Sequence, residues 1–192
     1  MAAVDAGCDA LGFVFYKKSP RYIRPQDAKK IIRLLPKDII KVGVFANAKE
    51  KDIKHTAKLC GLNLLQFHGN ESAAFCKRFK GYKIIKSFRV REPIDEKKLL
   101  AYRPFAYLFD TYLKSKIGGT GKAFNWKLVR HINGLNRPVF LSGGLSERNV
   151  KQAIKALGPD WVDVSSSVEL RPGKKDQQKV REFVSAAKLK DV

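Results

Sequence analysis

The chain has 192 residues, of which 44% are hydrophobic, and a formal net charge of +21. That size and composition support a single domain over residues 1–192 with a proper core, and no apolar run approaches the ~20 residues that span a bilayer. The opening MAAVDAGCDA has no basic segment leading into an apolar one, so it does not read as a secretory signal, and the expected compartment is cytoplasmic.

Seven strand-like runs follow one another along the chain: Ala10–Tyr16, Lys41–Asn47, Leu64–Gly69, Lys83–Val90, Ala106–Tyr112, Pro138–Gly144 and Trp161–Ser167. Segments with apolar residues at helical spacing separate them. Pro25 suits the first position of a helix over DAKKIIRLL. Ser72, Ser146 and Asp176 suit caps of the helices beginning after them. This β-α alternation predicts a parallel sheet with crossover helices, and runs such as KVGVF and PVFL suit strands buried on both faces. Seven units after the stub AAVDAG favour a barrel over an open sheet. A complete eightfold barrel rarely has fewer than about 200 residues. The expectation is therefore a barrel lacking its first strand and most of its first helix, with a true start upstream of Met1. Two open edges would make such a chain prone to instability or aggregation.

The basic residues are spread over the predicted helices, as in Lys29, Lys30, Arg33 and Lys37, or Lys174, Lys175, Lys179 and Arg181. Solvated outer faces account for that spread, and a positive field also draws in an anionic metabolite. Nucleic-acid binding is the rival reading of a basic chain, but no aromatic-studded strand accompanies the lysines, so nucleic acid is not the expected partner. Cys8, Cys60 and Cys76 are an odd number without paired short spacing. They suggest neither a disulfide framework nor a metal site, and read as small buried apolar residues.

Chemistry-bearing residues cluster at the far ends of the predicted strands, the edge where parallel α/β folds bind ligands. Ser142-Gly143-Gly144 and Ser165-Ser166-Ser167 close the last two strands, where barrels hold phosphate; either alone would also suit a tight turn. Gly118-Gly119-Thr120-Gly121 suits an anion nest or a mobile flap. Asp110 lies in the apolar strand LFDTY, where burial raises a carboxyl pKa toward general-acid use, although a hydrogen-bonded structural Asp fits equally well. Arg21 is a candidate carboxylate binder or a surface arginine. Gln66 and His68 alternate on one strand and face the same way; His68 alone reads first as a satisfied core histidine.

In this order, DALGFVFYKKSPRYI, KVGVFAN, LLQFHGNES, LFDTY, GGTGKAFNW, PVFLSGGLSERNV and DVSSSVELRPGKKD resemble the phosphoribosylanthranilate isomerase family of tryptophan biosynthesis. The resemblance runs from about Ala6 into the last helix. It implies a TIM (β/α)8 barrel of the phosphate-binding type and a rearrangement that needs no cofactor. N-(5'-phosphoribosyl)anthranilate, a small anionic phosphosugar, would become 1-(2-carboxyphenylamino)-1-deoxyribulose 5-phosphate. It implies Asp110 as the general acid on the ribose ring oxygen and Arg21 as the holder of the anthranilate carboxylate. Gly119, Gly143, Gly144, Ser166 and Ser167 would bind the phosphate, with Gln66 and His68 lining the site.

Three positions depart from the family pattern. The strand with the Lys-hydrophobic-Cys-Gly motif, which supplies a cysteine base, does not occur in the chain, and Cys8 lies at the wrong end of its strand to replace it. Ser167 stands where glycine is usual, and Asn125 stands for the aspartate of FDW. The first departure makes activity of this chain doubtful. It leaves two other readings open: a related aldose–ketose isomerase, and a base-less barrel that binds phosphate ligands or nucleic acid. A monomer and a homodimer are equally compatible with the sequence.

Overall fold

The computed structural model describes residues 1–90, 92–110 and 135–189. Its frame is a seven-stranded, curled parallel sheet whose strands lie side by side in chain order. The strands are β1 (Ala10–Val14), β2 (Ile40–Phe45), β3 (Leu64–Phe67), β4 (Lys83–Arg89), β5 (Ala106–Asp110), β6 (Val139–Ser142) and β7 (Trp161–Val162). The helices are α1 (Ala2–Asp5), α2 (Pro25–Ile32), α3 (Glu50–Cys60), α4 (Ala73–Cys76), α5 (Glu96–Leu100), α6 (Val150–Leu157) and α7 (Gln177–Lys188). A short antiparallel ribbon, β8 (Glu169–Arg171) with β9 (Lys174–Lys175), follows a 3-10 turn at Ser166–Val168.

Local chemistry accounts for most boundaries. Pro25 occupies the first turn of α2, Ser72 Oγ accepts from the Phe75 N–H at the start of α4, and Asp176 accepts from the Gln178 and Lys179 N–H groups at the start of α7. Ser146 behaves differently from the sequence expectation. It caps a turn, accepting from the Arg148 N–H, and α6 starts only at Val150. Strands are shorter than the apolar runs, most of all β7. After Val162 the Asp163 N–H makes a last bond to the Leu141 carbonyl, and the chain leaves the ladder.

The expectation of a barrel lacking its first strand and most of its first helix is not supported. The described residues begin with α1 and β1 in place and build seven strands, in which β1 and β7 do not pair with each other.

The two-residue period of the strands sorts side chains into two layers. Val42, Leu64, Ile85, Ala106, Leu108 and Phe140 form a cluster on the concave face, with Trp161 stacked on Phe140 at 5.3 Å. On the convex face Phe45, Leu65, Phe67 and Ile84 pack with Ala28, Ile53, Ala57 and Phe79. Tyr107, Phe109 and Leu141 pack there with Leu99, Val150, Ala153, Val180 and Phe183. The apolar concave layer stops short of the strands' C-terminal ends, and polar residues take over there.

Candidate active site

Continuing the same alternation, the positions above that plug are Gln66 and His68 from β3 and its loop, Ser87 on β4, Asp110 on β5, Ser142 on β6 and Asp163 after β7. All but Ser87 line one cleft of about 1010 Å³, together with Arg21, Arg89, Gly143, Gly144, Ser165, Ser166, Ser167, Glu169 and Lys175. The C-terminal ends of the strands line the upper part of this cleft, which continues down past β1 and β7 to Cys8 and Asp9 at the opposite edge.

At its centre is a hydrogen-bonded row. The Gln66 amide nitrogen lies 3.2 Å from Ser87 Oγ and 3.1 Å from His68 Nδ1, and His68 Nε2 lies 3.1 Å from Asp110 Oδ2. An amide nitrogen only donates, so His68 Nδ1 accepts, and Nε2 carries the hydrogen that goes to Asp110. Both ring nitrogens of His68 are thus satisfied, and the half-buried side chain links β3 to the carboxyl of β5.

Beyond it, Ser142 Oγ donates to Asp163 Oδ2 at 2.8 Å. Burial pushes the Asp163 carboxyl pKa up, and the Ser142 hydrogen bond and the nearby His68 only partly offset this. Sequence reasoning passed over Asp163. The signal was present in WVDVSSS, a carboxylate at the end of an apolar strand, the same signal that marks Asp110.

Arg21 follows β1 and is not a loose surface arginine. Its Nε and Nη2 donate to the Glu169 carboxylate at 2.9 and 2.6 Å. Glu169 also accepts from Lys175 Nζ at 3.0 Å and from the Gly173 N–H at 3.3 Å. Burial alone would raise the Glu169 pKa, but the hydrogen bonds from Arg21 and Lys175 outweigh it and hold it at about 2. Glu169 and Lys175 were not singled out in the sequence.

The strand-end loops have the geometry of close backbone approach. Gly143 and Gly144 take consecutive φ values of 90° and 68°, a conformation that favours glycine. Ser167, which stands at a usual glycine position, lies in the 3-10 turn and is not among the described non-glycine residues with positive φ. Its Oγ donates to the Leu145 carbonyl, which ties the two loops together. Gly119 and its glycine-rich loop lie outside the described residues.

No cysteine stands at the cleft's upper edge, although Cys8 lines its lower end. Cys8 precedes β1 at the N-terminal edge of the sheet, opposite the edge that carries Asp110, and burial together with Asp9 raises its pKa. Cys60 and Cys76 are buried on α3 and α4, and burial pushes Cys76 up to about 11. All three are thiols at neutral pH. Among the described residues no cluster of His, Cys, Asp and Glu could hold a metal ion, and no helix is long and apolar enough to cross a membrane.

A parallel α/β scaffold that gathers ion pairs, a carboxyl–imidazole contact and small-residue turns at its C-terminal edge belongs to the barrel-type enzymes. A family profile described as N-(5'-phosphoribosyl)anthranilate (PRA) isomerase matches residues 1–186, and the chain is a member of that family. The N-(5'-phosphoribosyl)anthranilate isomerase of Geobacter sp. (strain M21) is 48% identical over 188 residues, 98% of this chain and 91% of that protein. The phosphoribosyl anthranilate isomerase from Thermotoga maritima superposes with a TM-score of 0.90 at 41% identity, covering 97% of this chain and 91% of that one. A phosphoribosyl anthranilate isomerase solved in complex with reduced 1-(o-carboxyphenylamino)-1-deoxyribulose 5-phosphate gives a TM-score of 0.87 at 39% identity, covering 97% and 91%.

Proposed function

We propose that this protein converts N-(5'-phosphoribosyl)anthranilate into 1-(2-carboxyphenylamino)-1-deoxyribulose 5-phosphate, the isomerisation its family is named for. The reading rests on one observation. An acid candidate held by an imidazole, an arginine held by a glutamate and two linked strand-end loops face one cleft. The substrate carries the three matching groups: a ring oxygen that needs a proton, a carboxylate and a phosphate. The finer architecture, a (β/α)8 barrel of the phosphate-binding type, belongs to the same reading and is supported by the curled parallel sheet and its solved relatives.

In this reaction Asp110 gives a proton to the ribose ring oxygen as the C1–O bond breaks, and the anthranilate nitrogen lone pair closes an iminium. The hydrogen bond from His68 Nε2 orients the carboxyl. A base then takes the C2 proton, and the enol-amine relaxes to the ketone with a proton returning to C1. None of the three cysteines fills the base's place, since none is a thiolate on the cleft's upper rim. Arg21 receives the ring carboxylate. Gly143, Gly144, Ser166 and Ser167 receive the phosphate, with Gln66 and His68 walling the site.

Calorimetric titration with reduced 1-(o-carboxyphenylamino)-1-deoxyribulose 5-phosphate, alongside turnover, tests the reading. Saturable binding is expected. Asp110→Asn should lower kcat by about 10²–10⁴-fold while leaving analogue affinity nearly unchanged. Absence of saturable binding would sink the function, and full turnover by Asp110→Asn would remove the acid from its role.

A further inference from the structure

Arg21 and Glu169 stand 148 residues apart in the chain and meet above the seam between the first and last strands of the sheet. A guanidinium has two edges that offer paired N–H donors: Nε with Nη2, and Nη1 with Nη2. Glu169 occupies the first edge, with contacts of 2.9 and 3.1 Å from Nε and 2.6 Å from Nη2. Among the described residues none accepts from Nη1.

A second observation shows that Glu169 is itself fixed. It sits on β8 directly opposite Lys175 on β9, and Lys175 Nζ donates both to Glu169 and, at 2.8 Å, to the Ser165 carbonyl. Gly173 turns the ribbon with a φ of +83°, and a Cβ added there would lie 3.5 Å from the Pro20 carbonyl. The ribbon therefore lies against the very loop that carries Arg21. Two cations and one anion leave a net single positive charge at the rim.

We propose that Glu169 is a positioning residue: it grips the inner edge of the Arg21 guanidinium so that the outer edge, Nη1 and Nη2, meets the carboxylate of the aromatic acid in two parallel hydrogen bonds. The proposal rests on the reading of Arg21 as the carboxylate-binding group. Glu169 touches no reacting atom. Its effect is to remove the rotational freedom of a long side chain before ligand arrives, and to keep the Arg21 and Lys175 charges from driving each other apart.

The test uses the full chain and two probes, reduced 1-(o-carboxyphenylamino)-1-deoxyribulose 5-phosphate and its anilino counterpart without the ring carboxylate. Glu169→Gln should weaken the first about tenfold and the second by no more than about twofold. Glu169→Asp, which keeps the charge, should recover part of the loss on the carboxylated probe and serves if the glutamine variant does not fold. Equal losses on both probes, or no loss on the carboxylated one, would overturn the proposal, because a merely structural role does not distinguish them. Arg21→Ala separates the two layers of the argument. If it spares the carboxylated probe, the reading of Arg21 fails and the positioning role with it. If it weakens that probe while Glu169→Gln does not, only the positioning role fails.

Discussion

Asp163 is kept close to His68 and Asp110 at a cost in stability. Desolvation disfavours its charged form, and the Ser142 hydroxyl restores only part of what water supplied. Asp163→Asn keeps the acceptor for Ser142 and removes the charge. It is expected to raise stability by about 1 kcal/mol, or about 2–4 °C in Tm, while reducing turnover. Paired thermal melts and rate measurements check both halves, and an unchanged or lower Tm would contradict the expectation. At this scale the sequence was readable where a residue broke a strong local pattern. Asp110 in LFDTY and His68 after LLQF interrupt apolar strands at a known period, so their face followed from parity alone. Glu169 was not readable, because an acid inside the loop SSSVELRPGKK breaks nothing. Its meaning depends on an arginine far away in the chain.

The loops that carry the site are pinned from behind by a buried ion pair. Lys86 on β4 points to the convex face, where Nζ donates to the Phe67 carbonyl at 3.2 Å, the Gly69 carbonyl at 2.7 Å and Glu71 at 3.0 Å. Glu71 in turn accepts from the Asn47 N–H at 2.7 Å and the Gly69 N–H at 3.0 Å. The pair joins the loops after β2 and β3, which approach so closely that a Cβ at Gly69 would lie 2.7 Å from the Asn47 backbone nitrogen. His68, in the second of these loops, donates its backbone N–H to the Phe45 carbonyl at 2.8 Å. Lys86→Met would strand Glu71 with side chains only 3% and 2% exposed in the native pair, so a loss of about 3–5 kcal/mol is expected in denaturant unfolding. The double change with Glu71→Gln, which removes the stranded charge and keeps an amide oxygen to accept from the backbone N–H groups, should recover part of it, and a single variant as stable as the native chain would refute the account. Strand order, helix order and two of the three predicted caps were legible from apolar period and capping residues. The short β7 and late α6 were not. Where a strand stops depends on when its neighbour's carbonyls run out, and that is set by β6 rather than by the run WVDVSSS.

Across the whole molecule, acid stability reports on the seam between β1 and β7. Glu169 titrates at about 2 in the folded chain against an ordinary value of 4.5. Between those two pH values the unfolded chain binds a proton that the folded chain refuses, so this contribution is fully present above about pH 4.5 and is lost as pH falls toward 2. Glu169→Gln should flatten the fall of Tm in that window relative to the native chain, and parallel curves would show that the ion pair does not couple to folding. The parallel α/β class was legible from the alternation of elements, whereas the expected lack of a first strand and helix is not supported. Closure across the seam was not, because it is made by side chains of a ribbon that no periodicity announces.

The same contact fixes when the binding site comes into being. Loop closure over so long a separation comes late, since local pairs such as β2 with β3 are entropically cheaper to form. On a ribosome, Arg21 emerges early and waits without its partner until the ribbon after β7 has been made. On the proposed roles of Arg21 and Glu169, only a chain folded from one edge of the sheet to the other would bind the carboxylate tightly, so ligand affinity would double as a report on complete folding.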